Sequence, residues 1–235
     1  GDRGGGSGLI GDGLIDGGGV VPERRVGGVC PREGMFSAAH RRKGRRKHRK
    51  PGPAVHDDLV NREFTAAAPN RLWLTDITEH PTSEGKVYLC AVKDVFSNRI
   101  VGYSISDRMK ARLAVDALQD AVGRRGNPVG VIVHSDRGSQ FRSRRFRRTL
   151  RRHKLRGSMG RVGACADNAA MENFFSLLQK NVLNQHTWAT REDLRLAIVY
   201  WIEARYHRRR RQRRLGKLTP IEFETIMKDP ACLAA

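Results

Sequence analysis

The sequence contains few cysteines and no long apolar run. The four cysteines are scattered, with no C-x-x-C pair and no histidine at zinc-ligand spacing, so neither a disulfide framework nor a zinc site is indicated. They are Cys30, Cys90, Cys165 and Cys232. No apolar stretch approaches the length of a membrane-spanning helix, and no signal-peptide pattern is present. These absences predict a soluble, cytoplasmic protein with reduced thiols.

Acidic residues are scarce relative to basic ones. Lys plus Arg total 45 against 24 Asp plus Glu, which gives a net charge of +21 and a sequence pI near 11.0. Such an excess predicts a polyanionic partner, and nucleic acid is the first choice because phosphate contacts supply most non-specific affinity. An acidic membrane surface is the alternative partner, but the lack of a long apolar run argues against any membrane role.

The first 57 residues lack a sustained hydrophobic period. Glycine is dense up to about Val29, and few apolar side chains are present to offset the entropy cost of ordering it. A basic run at 41–50 ends in Pro-Gly-Pro, which breaks any helix. This run is about equally consistent with a solvated linker and with an arm along a DNA backbone. We therefore predict a disordered tail over residues 1–57.

Strand-like and helix-like patterns alternate from about residue 58 onward. Strands are predicted at 71–78, 86–95 and 98–106, and the short breaks between them suit antiparallel neighbours. Helical spacing is found at 111–122, 142–153, 168–183, 190–205 and from Thr219, with strand-like runs at 131–133 and 155–159. This order of elements predicts an α/β fold.

Three acidic residues stand where these elements could bring them together. Asp76 falls inside the first strand, Asp136 follows the run at 131–133, and Glu172 lies in the first turn of the 168–183 helix. An open α/β sheet presents ligand-binding groups at the C-terminal ends of its strands. An isolated Asp-x-Gly is more often a turn, however, because Asp and Gly dominate turns for backbone reasons. Asp136 alone would therefore be weak evidence of a site.

Carboxylates held close together repel unless divalent cations fill the space between them. Hard oxygen ligands suit Mg²⁺ or Mn²⁺, and two such ions roughly 4 Å apart stabilise both the attacking and the leaving oxygen of a phosphodiester displacement. Spacing leaves the choice of ligands open, because many triples can be drawn from 24 acidic residues. Other candidates are Glu79, Asp94, Asp107 and Asp116, although turn positions explain Asp94 and Asp107 and a solvated helix face explains Asp116.

Three blocks of sequence decide between these candidates. They are W-L-T-D-I-T at 73–78, H-S-D-R-G-S-Q-F at 134–141 and D-N-A-A-M-E-N-F-F at 167–175. The blocks closely resemble the integrase-type catalytic core of insertion-sequence transposases of the IS3 family. The 35 residues between Asp136 and Glu172 match that family's D,D-35-E signature. Further likeness at 92–103 and 215–223 extends the resemblance over about residues 58–224.

The resemblance implies an RNase H-like fold, in which helices flank a mixed sheet of three antiparallel strands plus parallel strands. It divides the chain into the tail at 1–57, the catalytic core at 58–185 and a helical, basic C-terminal extension at 186–235. The implied activity is metal-dependent cleavage and strand transfer of DNA at insertion-sequence ends, in the bacterial nucleoid. A homo-oligomer on DNA is expected, and the family suggests a partner protein from an upstream reading frame.

The same resemblance places Asp76, Asp136 and Glu172 at the catalytic positions, as ligands of two Mg²⁺ or Mn²⁺ ions. Asp76 would bridge both ions, while Asp136 and Glu172 would each hold one. One ion would activate water or a 3′-hydroxyl and the other would stabilise the leaving oxygen, without a covalent protein–DNA intermediate. The expected DNA contacts are Arg137, Ser139, Gln140, Asn168 and Lys180.

The chain departs from the family pattern in three places. The family usually has Lys or Arg seven residues after the catalytic glutamate, where this chain has Gln179 followed by Lys180, and a one-residue shift rotates a side chain by about 100°. Glycine-rich sequence stands where a helical DNA-recognition region is expected, and the zinc module of retroviral integrases is absent. A non-catalytic DNA-binding remnant and a stand-alone RNase H-like nuclease are therefore the alternative hypotheses.

Overall fold

A five-stranded mixed sheet forms the centre of the computed structural model, which describes residues 52–160 and 169–227. The strands are β1 (Leu72–Thr82), β2 (Gly85–Asp94), β3 (Ile100–Ser106), β4 (Ile132–Ser135) and β5 (Arg156–Met159), in the spatial order β3-β2-β1-β4-β5. The first three strands are antiparallel neighbours, whereas β4 runs parallel to both β1 and β5. The predicted mixed sheet of an α/β fold is confirmed.

Helices flank the sheet. They are α1 (Ala111–Arg124), α2 (Arg144–Arg152), α3 (Ala169–Leu178), α4 (Arg191–Tyr200) and α5 (Pro220–Ile226). Two π-helical turns, Gln179–Leu183 and Trp201–Tyr206, continue α3 and α4, and a 3₁₀ turn, Arg213–Leu215, precedes α5. Within the described ranges, no helix combines the length and the apolar character needed to cross a membrane.

Side-chain alternation along β1 divides the core into two layers. Leu72 and Leu74 pack with residues of α3 and α4 on one face of the sheet, which we call the α3 face. Trp73, fully buried, packs with α1 and α2 on the opposite face. Neighbouring β2 is covered on both faces, so it reads as a nearly continuous apolar run, as strands buried on two sides do.

The apolar stripe of α3 differs by one position from the sequence prediction, which gave Met171, Phe175, Leu178 and Val182. Phe174 is fully buried, whereas Phe175 is only partly covered. Phe174 lies three residues after Met171 and packs against Trp201 and Tyr206, with ring centroids 5.9 Å and 5.2 Å away. Both i+3 and i+4 positions share a helix face, so the sequence alone does not choose between the two phenylalanines.

A buried ion cluster ties α5 to the sheet. Arg125, which follows α1, contacts Asp94 at the end of β2 and Glu224 of α5, and all three side chains are less than a tenth exposed. Burial raises the pKa of Asp94, although Arg125 opposes this. Burial also acts to raise the pKa of Glu224, but hydrogen bonds from Arg125, Ser97 and Arg99 outweigh it and lower that pKa to about 2. The cluster is structural, since each charge has its partner in the core.

Candidate active site

Two aspartates lie side by side at one edge of the sheet. β1 and β4 pair in parallel with Thr75 opposite Ser135, and each of these residues is followed directly by an aspartate. Asp76 stays within β1, and Asp136 is the first residue beyond β4. Because adjacent strands are about 4.8 Å apart, the two carboxylates fall within reach of a common ligand. This adjacency joins two of the three predicted catalytic residues.

Alternation places both aspartates on the α3 face. Successive side chains of a strand point to opposite faces, so Asp76 shares the face of Leu72 and Leu74. Asp136 follows Ile132 and His134 at the same two-residue spacing. Ile132 packs with the α3-face core, and the ring of His134 meets Phe64 edge-to-face at 5.7 Å. The carboxylates are thus directed toward the layer that carries Glu172.

Local hydrogen bonds fix the orientation of both carboxylates. The backbone N–H of Ile77 donates to Asp76 Oδ1 at 2.7 Å, and the N–H of Gly138 donates to Asp136 Oδ1 at 2.9 Å. The second bond is the Asx-type turn that the Asp-x-Gly motif favours. A turn residue and a site residue are therefore compatible interpretations of Asp136, because the turn holds its carboxylate at the end of the strand.

The buried thiol of Cys90 responds to the charge of the two aspartates. Burial, the main cause, and the nearby negative charges of Asp76 and Asp136 together raise the pKa of Cys90 to about 12. A hydrogen-bond contact with Thr75, at 3.5 Å, acts in the opposite direction. Cys90 is thus a buried thiol of β2 close to the two aspartates.

Glu172 is placed in the first turn of α3 and is exposed. The beginning of that helix is anchored to the sheet, because the amine of buried Lys93 in β2 donates to the carbonyl of Ala170 at 2.9 Å. In residues 52–160 and 169–227, no group of three or more His, Cys, Asp or Glu side chains is close enough to hold a metal ion. The structure therefore brings Asp76 and Asp136 together and leaves Glu172 apart from a three-residue cluster.

The other acidic candidates are engaged elsewhere. Each of them contacts a basic side chain away from the Asp76–Asp136 edge. The pairs are Glu79 with Lys86 at 2.6 Å, Asp94 with Arg125 at 3.0 Å, Asp107 with Arg108 at 3.7 Å and Asp116 with Arg112 at 3.2 Å. These partners account for the four carboxylates without a metal site.

The predicted DNA contacts after Asp136 form a short loop at the same edge. Arg137 is half-buried, and its Nε donates to the carbonyl of Gly160 at 2.9 Å. Ser139 is exposed, and the side-chain amide of Gln140 donates to the carbonyl of Met109 at 3.4 Å. Asn168 lies outside the described residues.

The family's basic position after the glutamate falls where α3 becomes a π-helical turn. The Gln179 amide donates to Asn184, so this side chain is held within the turn. Lys180 is exposed and has its side chain in solvent. Of the two neighbours, Lys180 is therefore the one available to a ligand.

Sequence comparisons identify the family. Two family models described as Integrase core domain match residues 66–165 and 153–220. The transposase InsF for insertion sequence IS3A of Escherichia coli (strain K12) is 42% identical over 201 residues, which cover 86% of this chain and 70% of that relative. The chain belongs to the IS3 transposase family. The transposase for insertion sequence element IS904 of Lactococcus lactis subsp. lactis (strain IL1403) is 38% identical over 201 residues, or 86% of this chain and 79% of the relative.

Solved structures confirm the fold of this IS3-family transposase. The HTLV-2 integrase catalytic core domain, in complex with magnesium and trimeric, matches with a TM-score of 0.55 at 19% identity over 68% of this chain and 99% of that chain. An intasome chain of simian T-cell lymphotropic virus, in complex with a PP2A regulatory subunit, matches with a TM-score of 0.50 at 18% identity. The match covers 67% of this chain and 55% of that chain. The RNase H-like integrase fold is confirmed.

Family and fold together define the class of enzyme. The IS3-family transposase is a polynucleotidyl transferase of the DDE type. Integrase-core enzymes depend on a divalent metal ion, and transposases and integrases act on DNA as oligomers.

Sequence reasoning did not single out Lys93. Its signal was a charged residue within the otherwise apolar strand β2, two residues from the position opposite Asp76. Burial, the main cause, and the charges of Arg214 and Arg210 together lower the pKa of Lys93 to about 7. Those arginines lie more than a hundred residues away in sequence, so their approach was not predictable from the pattern.

Proposed function

We propose that this transposase cleaves and joins DNA at the ends of an insertion sequence, with Asp76, Asp136 and Glu172 as its catalytic carboxylates. The observation that carries the proposal is the adjacency of Asp76 and Asp136 immediately after the Thr75–Ser135 pair. Two acidic residues on neighbouring parallel strands, on the face covered by the helix of Glu172, match the arrangement that the D,D-35-E spacing implies.

The three carboxylates would hold two Mg²⁺ or Mn²⁺ ions. Carboxylate oxygens are the ligands these hard cations prefer, and the orientation of Asp76 and Asp136 is fixed by backbone N–H groups. Asp76 would contact both ions, and Asp136 and Glu172 one each. Ions held there would supply Lewis acidity to the attacking water or 3′-hydroxyl and to the leaving oxygen. Their positive charge also offsets the repulsion that otherwise opposes the approach of a third carboxylate.

The protein's own groups would orient the DNA around these carboxylates. Lys93 steadies the first turn of α3, two residues before Glu172. Arg137, Ser139 and Gln140 line the loop after Asp136, and Lys180 extends from the end of α3. Together with Asn168, these side chains are the DNA contacts we propose, because phosphate contacts from such residues set the register of a strand.

We also propose the division of the chain into a tail at 1–57, a catalytic core at 58–185 and a basic C-terminal extension at 186–235. The first 51 residues of that tail lie outside the described residues. The proposed active assembly is a homo-oligomer on DNA in the bacterial nucleoid, with a protein from an upstream reading frame as a partner.

A cleavage and joining assay tests the proposal. The full chain is incubated with Mg²⁺ or Mn²⁺ and a duplex that carries the element's end. We expect nicked and joined products from the parent and none from Asp136→Asn, while Asp116→Asn, which alters an exposed ion pair, stays active. An Asp136→Asn protein as active as the parent would refute the assignment, and cleavage without joining would identify a nuclease.

A further inference from the structure

A strongly basic turn lies next to the first turns of α3. It spans residues 208–217, and we call it the basic turn. Its charged side chains are all exposed: Arg208, Arg209, Arg210, Arg211, Arg213, Arg214 and Lys217. Tyr206 anchors its beginning by packing against Phe174 of α3. The bridge between Gln212 and Leu218 closes it, with the N–H of Gln212 donating to the carbonyl of Leu218 at 2.9 Å.

One arginine of the basic turn contacts Phe64, a residue that packs against β4. The Arg214 guanidinium donates to the carbonyl of Phe64 at 3.3 Å. The ring of Phe64 in turn meets the ring of His134, and His134 precedes Asp136 by two residues. Arg214 is therefore linked to the end of β4 through Phe64, which contacts both Arg214 and His134.

A second arginine of the basic turn, Arg210, is exposed like Arg214. Burial is the main cause that lowers the pKa of Lys93, and the charges of Arg214 and Arg210 contribute to the same shift. The Lys93 amine is fixed at 2.9 Å from the carbonyl of Ala170, two residues before Glu172. The basic turn thus lies beside α3, against which Tyr206 packs, on the face of the sheet that carries Asp76 and Asp136.

Arg210 and Arg214 have no acidic counterpart in the described part of the chain, where neither forms an ion pair with a carboxylate. Arg211 differs, because it lies near Glu222, whose pKa is lowered mainly by hydrogen bonds with Thr219 and in smaller part by the Arg211 charge. Arg210 and Arg214 belong to the same exposed turn, so their like charges repel one another, and an anion held by both would remove that repulsion.

We propose that Arg210 and Arg214 bind a backbone phosphate of the DNA strand that is cut, next to the scissile phosphate. The proposal rests on the proposed function, which makes DNA the substrate and the Asp76–Asp136 edge the place of reaction. Guanidinium groups present paired donors that match phosphate oxygens. The basic turn carries seven exposed cationic side chains, so the backbone of a polyanion fits this location better than an isolated acidic side chain of a protein.

A neutral-phosphate scan tests this pairing with the full chain. Duplexes that carry the element's end receive a single uncharged methylphosphonate at each position around the cut. We expect one flanking position at which the neutral group slows cleavage by the parent roughly tenfold or more, as the loss of a charge-assisted hydrogen bond implies. The double variant Arg210→Gln/Arg214→Gln should be slow on the unmodified duplex and indifferent to the neutral group at that position.

Two controls make the result specific. Arg156→Gln/Arg211→Gln removes the same amount of charge from exposed arginines and should keep the parent's sensitivity. Arg210→Lys/Arg214→Lys keeps the charge and should keep most of the sensitivity as well. The same set of duplexes can also be compared by binding affinity. In that version both the parent and the double variant carry Asp136→Asn, so the measurement does not depend on cleavage.

The outcomes separate the two proposals. If the parent never cleaves, the proposed function fails, and the binding scan still reports on the basic turn. If the Gln double variant, folded by circular dichroism, keeps the parent's sensitivity at every position, the phosphate site is overturned. In that case the basic turn would be free for a different ligand, such as an acidic protein segment.

Discussion

Thr75 and Ser135 face each other across the parallel pair of β1 and β4, and each is followed by an aspartate. Because each aspartate directly follows its member of this pair, Asp76 and Asp136 lie together on the α3 face. A shift of either strand by one residue would direct its aspartate to the opposite face, because side chains alternate. The geometry of the proposed site therefore depends on the packing that fixes strand register.

The close approach of β3 to α1 gives a first prediction. A Cβ added at Gly102 would clash most closely with the backbone N of Ala121 in α1 and would lie 2.6 Å from Ala117 O and Ala121 Cα. Backbone atoms cannot move aside as a flexible side chain can. We expect Gly102→Ala to lower the free energy of unfolding by about 1–3 kcal/mol, measured by urea denaturation. Gly123→Ala is the matched control, because Gly123 is an exposed residue of α1 and nothing lies within 4 Å of its added Cβ. This substitution should leave the free energy of unfolding unchanged or raise it by up to about 1 kcal/mol.

The buried ion cluster of Asp94, Arg125 and Glu224 gives a second prediction. Replacing Arg125 by Met leaves Asp94 and Glu224 buried without their shared cation, so we expect a loss of about 3–5 kcal/mol in the free energy of unfolding at pH 7. The loss should shrink at lower pH, where the orphaned carboxylates can be protonated. Arg112→Met, which removes an exposed partner of Asp116, should cost less than about 0.5 kcal/mol. Equal effects of the two substitutions would contradict the structural role of Arg125.

Lys93 sets a pH dependence of stability. Its folded pKa of about 7 is below the ordinary 10.5, so between these values the unfolded chain holds more protons than the folded one. Stability should then rise with pH in that window, by up to about 1.4 kcal/mol per pH unit from this group. Urea denaturation from pH 7 to 8.5 should show a smaller slope for Lys93→Met than for the parent. Identical slopes would show that Lys93 keeps an ordinary pKa in the folded chain.

Lys180, rather than Gln179, should take part in DNA binding. Lys180 is exposed, whereas the side chain of Gln179 is bonded to Asn184. We expect Lys180→Gln to weaken binding of an element-end duplex and to reduce the slope of log affinity against log salt by about 1. Gln179→Ala, as the control, should leave the slope unchanged. Fluorescence anisotropy over a salt series measures both, and an unchanged slope for Lys180→Gln would remove it from the interface.

The parts of the fold that depend on local pattern were predictable from the sequence. Period-two and period-3.6 patterns located the strands and helices. They placed Asp76 inside one strand and Asp136 directly after another, and the register of β1 with β4 brings the two residues side by side. Asp94 does hold a turn, as its position after a strand predicted, because it accepts the N–H of Phe96 at 3.0 Å. Its burial beside Arg125 was not predicted, since Arg125 lies 31 residues away in sequence and no local pattern reports a pairing at such a distance.

The surroundings of the site were less predictable for the same reason. Lys93 was visible only as a charge within an apolar strand, and its contact with Ala170 joins residues 77 positions apart. The approach of Arg210 and Arg214 depends on how Tyr206 packs against α3. The choice of Phe174 over Phe175 for the core was likewise decided by Trp201 and Tyr206.

The most direct test of the account is the number of Mn²⁺ ions bound by the full chain on a duplex that carries the element's end. Titration followed by electron paramagnetic resonance should give two ions for the parent, one for Asp136→Asn or Glu172→Gln, and none held tightly by Asp76→Asn. Asp116→Asn should still bind two. If Glu172→Gln binds two ions with the parent's affinity, Glu172 is not a ligand and the three-carboxylate site is wrong.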